Sequence, residues 1–183
     1  PAILAGLAGD GGRIGLDPQL AADRLRIIVE EAGGHVVEMT DPAQLPRATK
    51  NGAEIEGARK AHLRDGVAVS RFLCWLDGQA PNTVDEIAAA SRLEAFRVAA
   101  GAAFQQPLRD ISFDTISGAG PNGAIIHYRV TSASHRKLGA SELYLVDSGG
   151  QYRDGTTDIT RTVAIGTPSE EMRRHYTVVL KGL

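Results

Sequence analysis

Two aspartates, Asp147 and Asp158, stand where strand chemistry disfavours them. Both lie in the run ELYLVDSGGQYRDGTTDITRTVAI, residues 142–165. Asp147 ends an apolar stretch (Leu143, Tyr144, Leu145, Val146), and Asp158 opens one rich in β-branched residues. Aspartate is depleted in strands, and a buried carboxylate is costly unless it is paired or binds a metal. Two neighbouring strands joined by a Gly-rich turn would bring both carboxylates together, as a hard or borderline divalent cation requires. Alternation along the second run puts Asp158, Thr160 and Thr162 on one face and Ile159, Arg161 and Val163 on the other. This predicts a polar strip on an interior strand, lining a cavity. A calcium-loop reading fails, because the sixth and twelfth positions counted from Asp147 hold Tyr152 and Asp158 instead of Gly and Glu. Spacing alone leaves open that the aspartates cap turns or pair with arginines.

A third group with chemical potential is His127. The segment GAIIHYRV, residues 123–130, reads as a strand, with His127 on the face opposite Ile126 and Tyr128. If that face also carries the two aspartates, a proton-transfer or substrate-orienting role follows. Just upstream, Gly118, Gly120 and Gly123 match the letters of a dinucleotide fingerprint. That motif needs a helix behind it to face the pyrophosphate, and a strand pattern follows instead. No cofactor-binding loop is assigned; a loop whose backbone approaches a neighbour closely fits better. His35, His62, His135 and His175 read as surface or helix residues, and Asp154 beside Gly155 as a turn residue.

These groups must be positioned by ordinary elements. Residues 13–18, 19–32 and 35–40 read as strand, helix and strand, with Gly33-Gly34 stopping the helix. The two prolines of DPAQLPRATKNG, residues 41–52, mark the expected boundary. A first long helix is predicted over 52–76, with Ile55, Leu63, Val67, Phe72, Leu73 and Leu76 as its apolar stripe. A second is expected over 84–103, opened by a Thr83/Glu86 capping box. A third starts near 168, with Pro168 at its first position. Strands are expected over 111–117, 124–130, 143–148 and 158–165. Helices followed by strands with hairpin-like links argue α+β with an antiparallel sheet.

Composition excludes several classes. The chain has 183 residues, 43% hydrophobic and 23% charged, with a formal net charge of -2. That gives no electrostatic argument for nucleic acid or an anionic membrane. No apolar run approaches a membrane span, and no signal peptide is visible, so a cytoplasmic setting is expected. The single cysteine, Cys74, rules out an intramolecular disulfide and a cysteine-based zinc site. Its apolar surroundings predict a buried structural thiol. The chain opens on Pro1 and ends within a helical pattern, and is read as a piece of a longer protein.

LYLVDSGGQYRDGTTDITRTVAIGTP and ISGAGPNGAIIHYRV resemble signature segments of the Xaa-Pro aminopeptidases (aminopeptidase P), in the large, three-domain cytosolic version. KNGAEIEGARKAHLRDGVAVSRFLCWL is similar to the first helix of that family's catalytic domain. The likeness covers roughly 41–183. It implies the N-terminal half of a pita-bread catalytic domain over 46–183, preceded over 1–45 by the end of a non-catalytic α/β domain. It implies two divalent metal ions, most often Mn(II), with zinc or cobalt as alternatives. Asp147 and Asp158 fall on two of the family's metal ligands, and His127 on a histidine that handles substrate and proton. Thr160 becomes a partner for a ligand carboxylate. One His and two Glu ligands would come from the second half of the fold, so the piece alone is expected to be inactive. The family commonly continues the last helix as LKGH where this chain reads Leu180-Lys181-Gly182-Leu183, which touches no ligand position.

The implied substrate is a peptide with proline in second position, and the implied full-length protein a homodimer. The rivals are a prolidase-type dipeptidase or methionine aminopeptidase, a non-catalytic pita-bread module that binds peptides or proteins, and a metal-free creatinase-like hydrolase. Retention of both aspartates weighs against the last two.

Overall fold

The computed structural model describes residues 1–182 as two compact units that divide between Asn51 and Gly52. The first unit contains α1 (Ala2–Ala8), β1 (Arg13–Leu16), α2 (Asp23–Glu31), β2 (His35–Glu38) and the short α3 (Gln44–Ala48). β1 and β2 pair in parallel, with Arg13 opposite His35, so α2 is the crossover of a β-α-β unit. Gly33, at φ +79°, ends α2 in the left-handed conformation that a C-terminal stop requires. Ile28 and Val29 are the residues α2 buries.

The second unit is α+β. Two long helices, α4 (Gly52–Asp77) and α5 (Glu86–Ala103), pack on one another. The strands that follow are β3 (Asp110–Ile111), β4 (Ile116–Ala119), β5 (Glu142–Ser148), β6 (Gly150–Gln151) and β7 (Ile159–Ile165). β4, β5 and β7 form one antiparallel sheet in that order, and β3 pairs with β6. α6 (Glu170–Gly182) follows, with Ser169 accepting a hydrogen bond from the Met172 N–H at 3.1 Å. The core joins Val69, Phe72 and Leu76 of α4 and Leu93 of α5 to Tyr144 and Val146 of β5 and Ile165 of β7. Fully burying a side chain such as Phe72 or Leu93 stabilises by about 1.5–3 kcal/mol. Among the described residues, no helix is long and apolar enough to cross a membrane.

Several local expectations need correction. Segment 124–130 is no strand: a 3-10 helix over Gly120–Ala124 gives way to a turn and open loop. β7 lies at an edge of its sheet rather than in the interior. The buried stripe of α4 runs through Ala61, Asp65, Ala68, Val69, Phe72 and Leu76, while Leu63 is 69% exposed. Small residues let α4 approach its neighbours, so the bulkier Ile55 and Leu63 fall outside the seam. Cys74 is exposed, because Phe72 and Leu76 take the inward positions on either side of it. α5 is capped by Asp85, which accepts from the Ala88 N–H at 2.8 Å, and not by a Thr83/Glu86 box. Glu86 is withdrawn into the core, and Thr83 donates to the Ala80 carbonyl instead. Pro168 precedes α6 by two positions rather than opening it.

Candidate metal centre

The two aspartates meet because of strand register. β5 and β7 pair so that Asp147 faces Thr160, Leu145 faces Thr162 and Leu143 faces Ala164. Directly opposed residues share a face. Tyr144, Val146 and Ser148 are buried on the other side of β5, against the helices. The outer face is therefore Leu143, Leu145 and Asp147, continued by Thr160 and Thr162. Asp158 immediately precedes β7, in phase with Thr160. Its carboxyl lies against that of Asp147, and desolvation together with the charge and hydrogen bonding of Asp147 raises its pKa. Thr160 donates to Asp147 Oδ1 at 2.7 Å, which fixes that carboxylate's rotamer.

Two carboxyl groups in contact are electrostatically unfavourable. Desolvation, then the Asp147 charge and the shared hydrogen bond, hold Asp158 above the usual carboxylate range. Among the described residues no Lys, Arg or His forms an ion pair with either aspartate. This is an all-oxygen donor set carrying uncompensated negative charge, and it fits a hard divalent cation. The described residues contain no cluster of three or more His, Cys, Asp or Glu able to hold a metal. Two carboxylates are what the described residues bring together here.

The turn that delivers Asp158 is bound to α4 through buried groups. Asp65, fully buried, accepts from Arg97 Nε at 2.6 Å and Nη2 at 3.1 Å, a two-pronged pair. Its oxygens also accept from the Thr157 hydroxyl at 2.8 Å and the Tyr152 hydroxyl at 3.2 Å. Burial, followed by the Asp65 charge, pushes the Tyr152 phenol up to about 12, so it remains a donor at neutral pH. Arg64 stacks over the Tyr152 ring at 4.4 Å and pairs with Asp154 at 2.6 Å. Gly57 is required for this approach: a Cβ there would lie 2.1 Å from the Asp154 carbonyl oxygen.

His127 sits differently. It is exposed, in the loop after the 3-10 helix, with φ +54° in the left-handed region. The strand alternation expected for it does not exist, because Glu86 captures the segment. The fully buried Glu86 carboxylate accepts from the Ala119 N–H at 2.7 Å, the Asn122 amide at 3.0 Å, the Tyr128 hydroxyl at 3.0 Å and the Arg136 N–H at 3.1 Å. These bonds draw residues 119–136 into a folded loop. Gly123 in that loop would place a Cβ 3.4 Å from Leu145 Cβ, so the loop folds back onto the outer face of β5 that carries Asp147. Among the described residues, no hydrogen bond joins His127 to either aspartate.

Asp147, Asp158 and Thr160 are thus brought together, and His127 lies on a separate loop turned toward the same face. Asp65, Arg97 and Glu86 went unrecognised in the sequence as elements of this site. A signal existed for the first two. Asp65 is in phase with Ala61, Val69, Phe72 and Leu76 on α4, and Arg97 with Ala89 and Leu93 on α5. Opposite charges in phase with the apolar stripes of consecutive helices require each other.

The comparisons agree with this architecture. Residues 56–183 match the model of metallopeptidase family M24. A probable Xaa-Pro aminopeptidase P from Chaetomium globosum is 45% identical over 150 residues, covering 80% of this chain and 23% of its own length. Xaa-Pro aminopeptidase 2 from Sus scrofa is 49% identical over 142 residues, covering 77% of this chain and 20% of its own length. The chain therefore spans less than a quarter of either relative. In three dimensions it superposes on an X-prolyl aminopeptidase from Caenorhabditis elegans with a TM-score of 0.79 and 37% identity, over 93% of this chain and 27% of that one. That protein is described as a cytosolic enzyme with a di-nuclear active site. The chain belongs to metallopeptidase family M24.

Proposed function

We propose that this member of family M24 is part of a cytoplasmic, homodimeric Xaa-Pro aminopeptidase, which releases the N-terminal residue from peptides with proline in second position. The observation that carries the reading is the pair of adjacent carboxylates, Asp147 and Asp158, on the face opposite the core, with no basic side chain paired to either among the described residues. Residues 46–183 form the first half of its pita-bread catalytic domain, and residues 1–45 the end of a preceding non-catalytic domain. The division of the structure at residue 51 supports that partition. The remaining ligands, one His and two Glu, belong to a second half of the fold. The small share of the relatives' length that this chain spans supports their lying outside it.

Asp147 and Asp158 would hold the divalent ions, Mn(II) in this reading, through their carboxylate oxygens. When bound, such ions supply Lewis acidity and a water of lowered pKa. Thr160 keeps Asp147 in its ligating rotamer by donating to Oδ1. Only an ionised carboxylate ligates a metal, so affinity falls as pH falls. His127, exposed on its loop, orients the substrate's N-terminal portion and carries a proton between substrate and solvent.

The test is hydrolysis by a protein of the relatives' full length bearing this segment. It is expected to cleave an Xaa-Pro-Xaa tripeptide and to leave an Xaa-Pro dipeptide intact. The reverse preference would make it a prolidase-type dipeptidase. Metal-replete protein that binds both peptides and cleaves neither would support the non-catalytic reading.

A further inference from the structure

We propose that the buried carboxylate of Asp65 is a positioning group for Asp158, acting through the hydroxyl of Thr157. The proposal rests on the reading of Asp158 as a metal ligand. Every polar group of Thr157 is engaged. Its N–H donates to the Gly150 carbonyl at 2.9 Å, and its carbonyl accepts from the Ser112 hydroxyl at 2.9 Å. Its hydroxyl donates to Asp65 Oδ2 at 2.8 Å and accepts from the Gly150 N–H at 2.9 Å. The next residue in the chain is Asp158, so that carboxylate swings from a backbone locked on three sides.

Asp65 can serve this purpose because it is itself immobile. Four donors on two oxygens saturate it, two of them from the planar fork of Arg97, which is 1% exposed. A neutral amide there could not accept all four. Gly149 closes the arrangement, since a Cβ on it would lie 1.8 Å from the Thr157 carbonyl oxygen. The anchor therefore joins the helix pair α4–α5 to the hairpin between β5 and β7, one residue from a ligand. Burial of an ion pair is by itself weak evidence of stabilisation. Its placement under this turn is what assigns it a role in geometry.

Thr157→Val removes the hydroxyl link while preserving shape and leaving the Asp65–Arg97 pair intact. Mn(II) binding to the chain, followed by loss of the free-ion electron paramagnetic resonance signal, is expected to weaken about tenfold or more. Amide exchange at Gly150 should accelerate in the same variant without metal. Thr157→Ser should restore both, and Ser112→Ala, which frees the Thr157 carbonyl, should reproduce part of the loss. Phe72→Leu, a core change remote from the turn, should lower Tm without altering Mn(II) affinity. Wild-type affinity in both Thr157→Val and Ser112→Ala would overturn the proposal, as would an equal loss in Phe72→Leu. If Asp158→Asn binds Mn(II) as wild type does, the metal-ligand reading fails, and this proposal with it. If Asp158→Asn weakens binding and the Thr157 and Ser112 variants do not, only the positioning role fails.

Discussion

Two buried carboxylates hold the two halves of the candidate site, and they do so by opposite means. Asp65 is neutralised by Arg97 and anchors the turn from which Asp158 emerges. Among the described residues Glu86 has no cationic side chain on its carboxylate; it gathers backbone N–H groups, an amide and a phenol from the loop that carries His127. Asp147 ends up on β5 and Asp158 at the entry to its partner β7, so the register of the two strands sets their separation, whereas His127 ends up exposed on a loop. In the proposed reading the aspartates share a cation and need fixed geometry, whereas His127 meets the substrate and needs access. The ion pair and the neutral-donor cradle supply these respectively.

Removing the anchors should expose the difference. Asp65→Ala leaves Arg97 buried and unpaired, and should cost about 3–5 kcal/mol of unfolding free energy, measured by urea denaturation. Glu86→Gln keeps the shape but turns one acceptor into a donor facing N–H groups. It should cost about 1–3 kcal/mol, with faster amide exchange confined to residues 119–136. Equal costs for the two, or exchange spreading through β5 and β7, would break the contrast.

Smaller effects sharpen it. Asp158 has its pKa raised in the folded chain, so protonation favours the folded state and ionisation opposes it. The favourable contribution is complete below the unfolded value of about 3.9 and is lost as pH rises through the folded value. Asp158→Asn should therefore raise the metal-free Tm near neutral pH, with the gain vanishing in acid. His127→Ala should change stability by less than about 0.5 kcal/mol, as an exposed loop substitution does. In protein of the relatives' length it should nonetheless reduce Xaa-Pro hydrolysis.

The α+β architecture, the β-α-β start and the aspartate-bearing strands were legible because hydrophobic period and turn chemistry agreed there. The conformation around His127 was not. Ile125, Ile126, Tyr128 and Val130 carry strand propensity, yet Glu86 offers Asn122 and Tyr128 buried partners that outweigh it. Glu86 itself looked like a helix-capping residue, since its real partners lie 33 to 50 residues away in sequence. Cys74 was misplaced because an apolar neighbourhood does not say which turn of a helix faces inward. Local pattern reads elements well and reads tertiary capture of a side chain poorly.

The central claim is that Asp147 and Asp158 are two ligands of a larger divalent-metal site. Calorimetric titration of the chain with Mn(II), beside Asp158→Asn, tests it most directly. The account predicts weak binding, well above micromolar in Kd, reduced further about tenfold or more by the substitution. Sub-micromolar binding by the chain alone, or identical binding by wild type and Asp158→Asn, would contradict it.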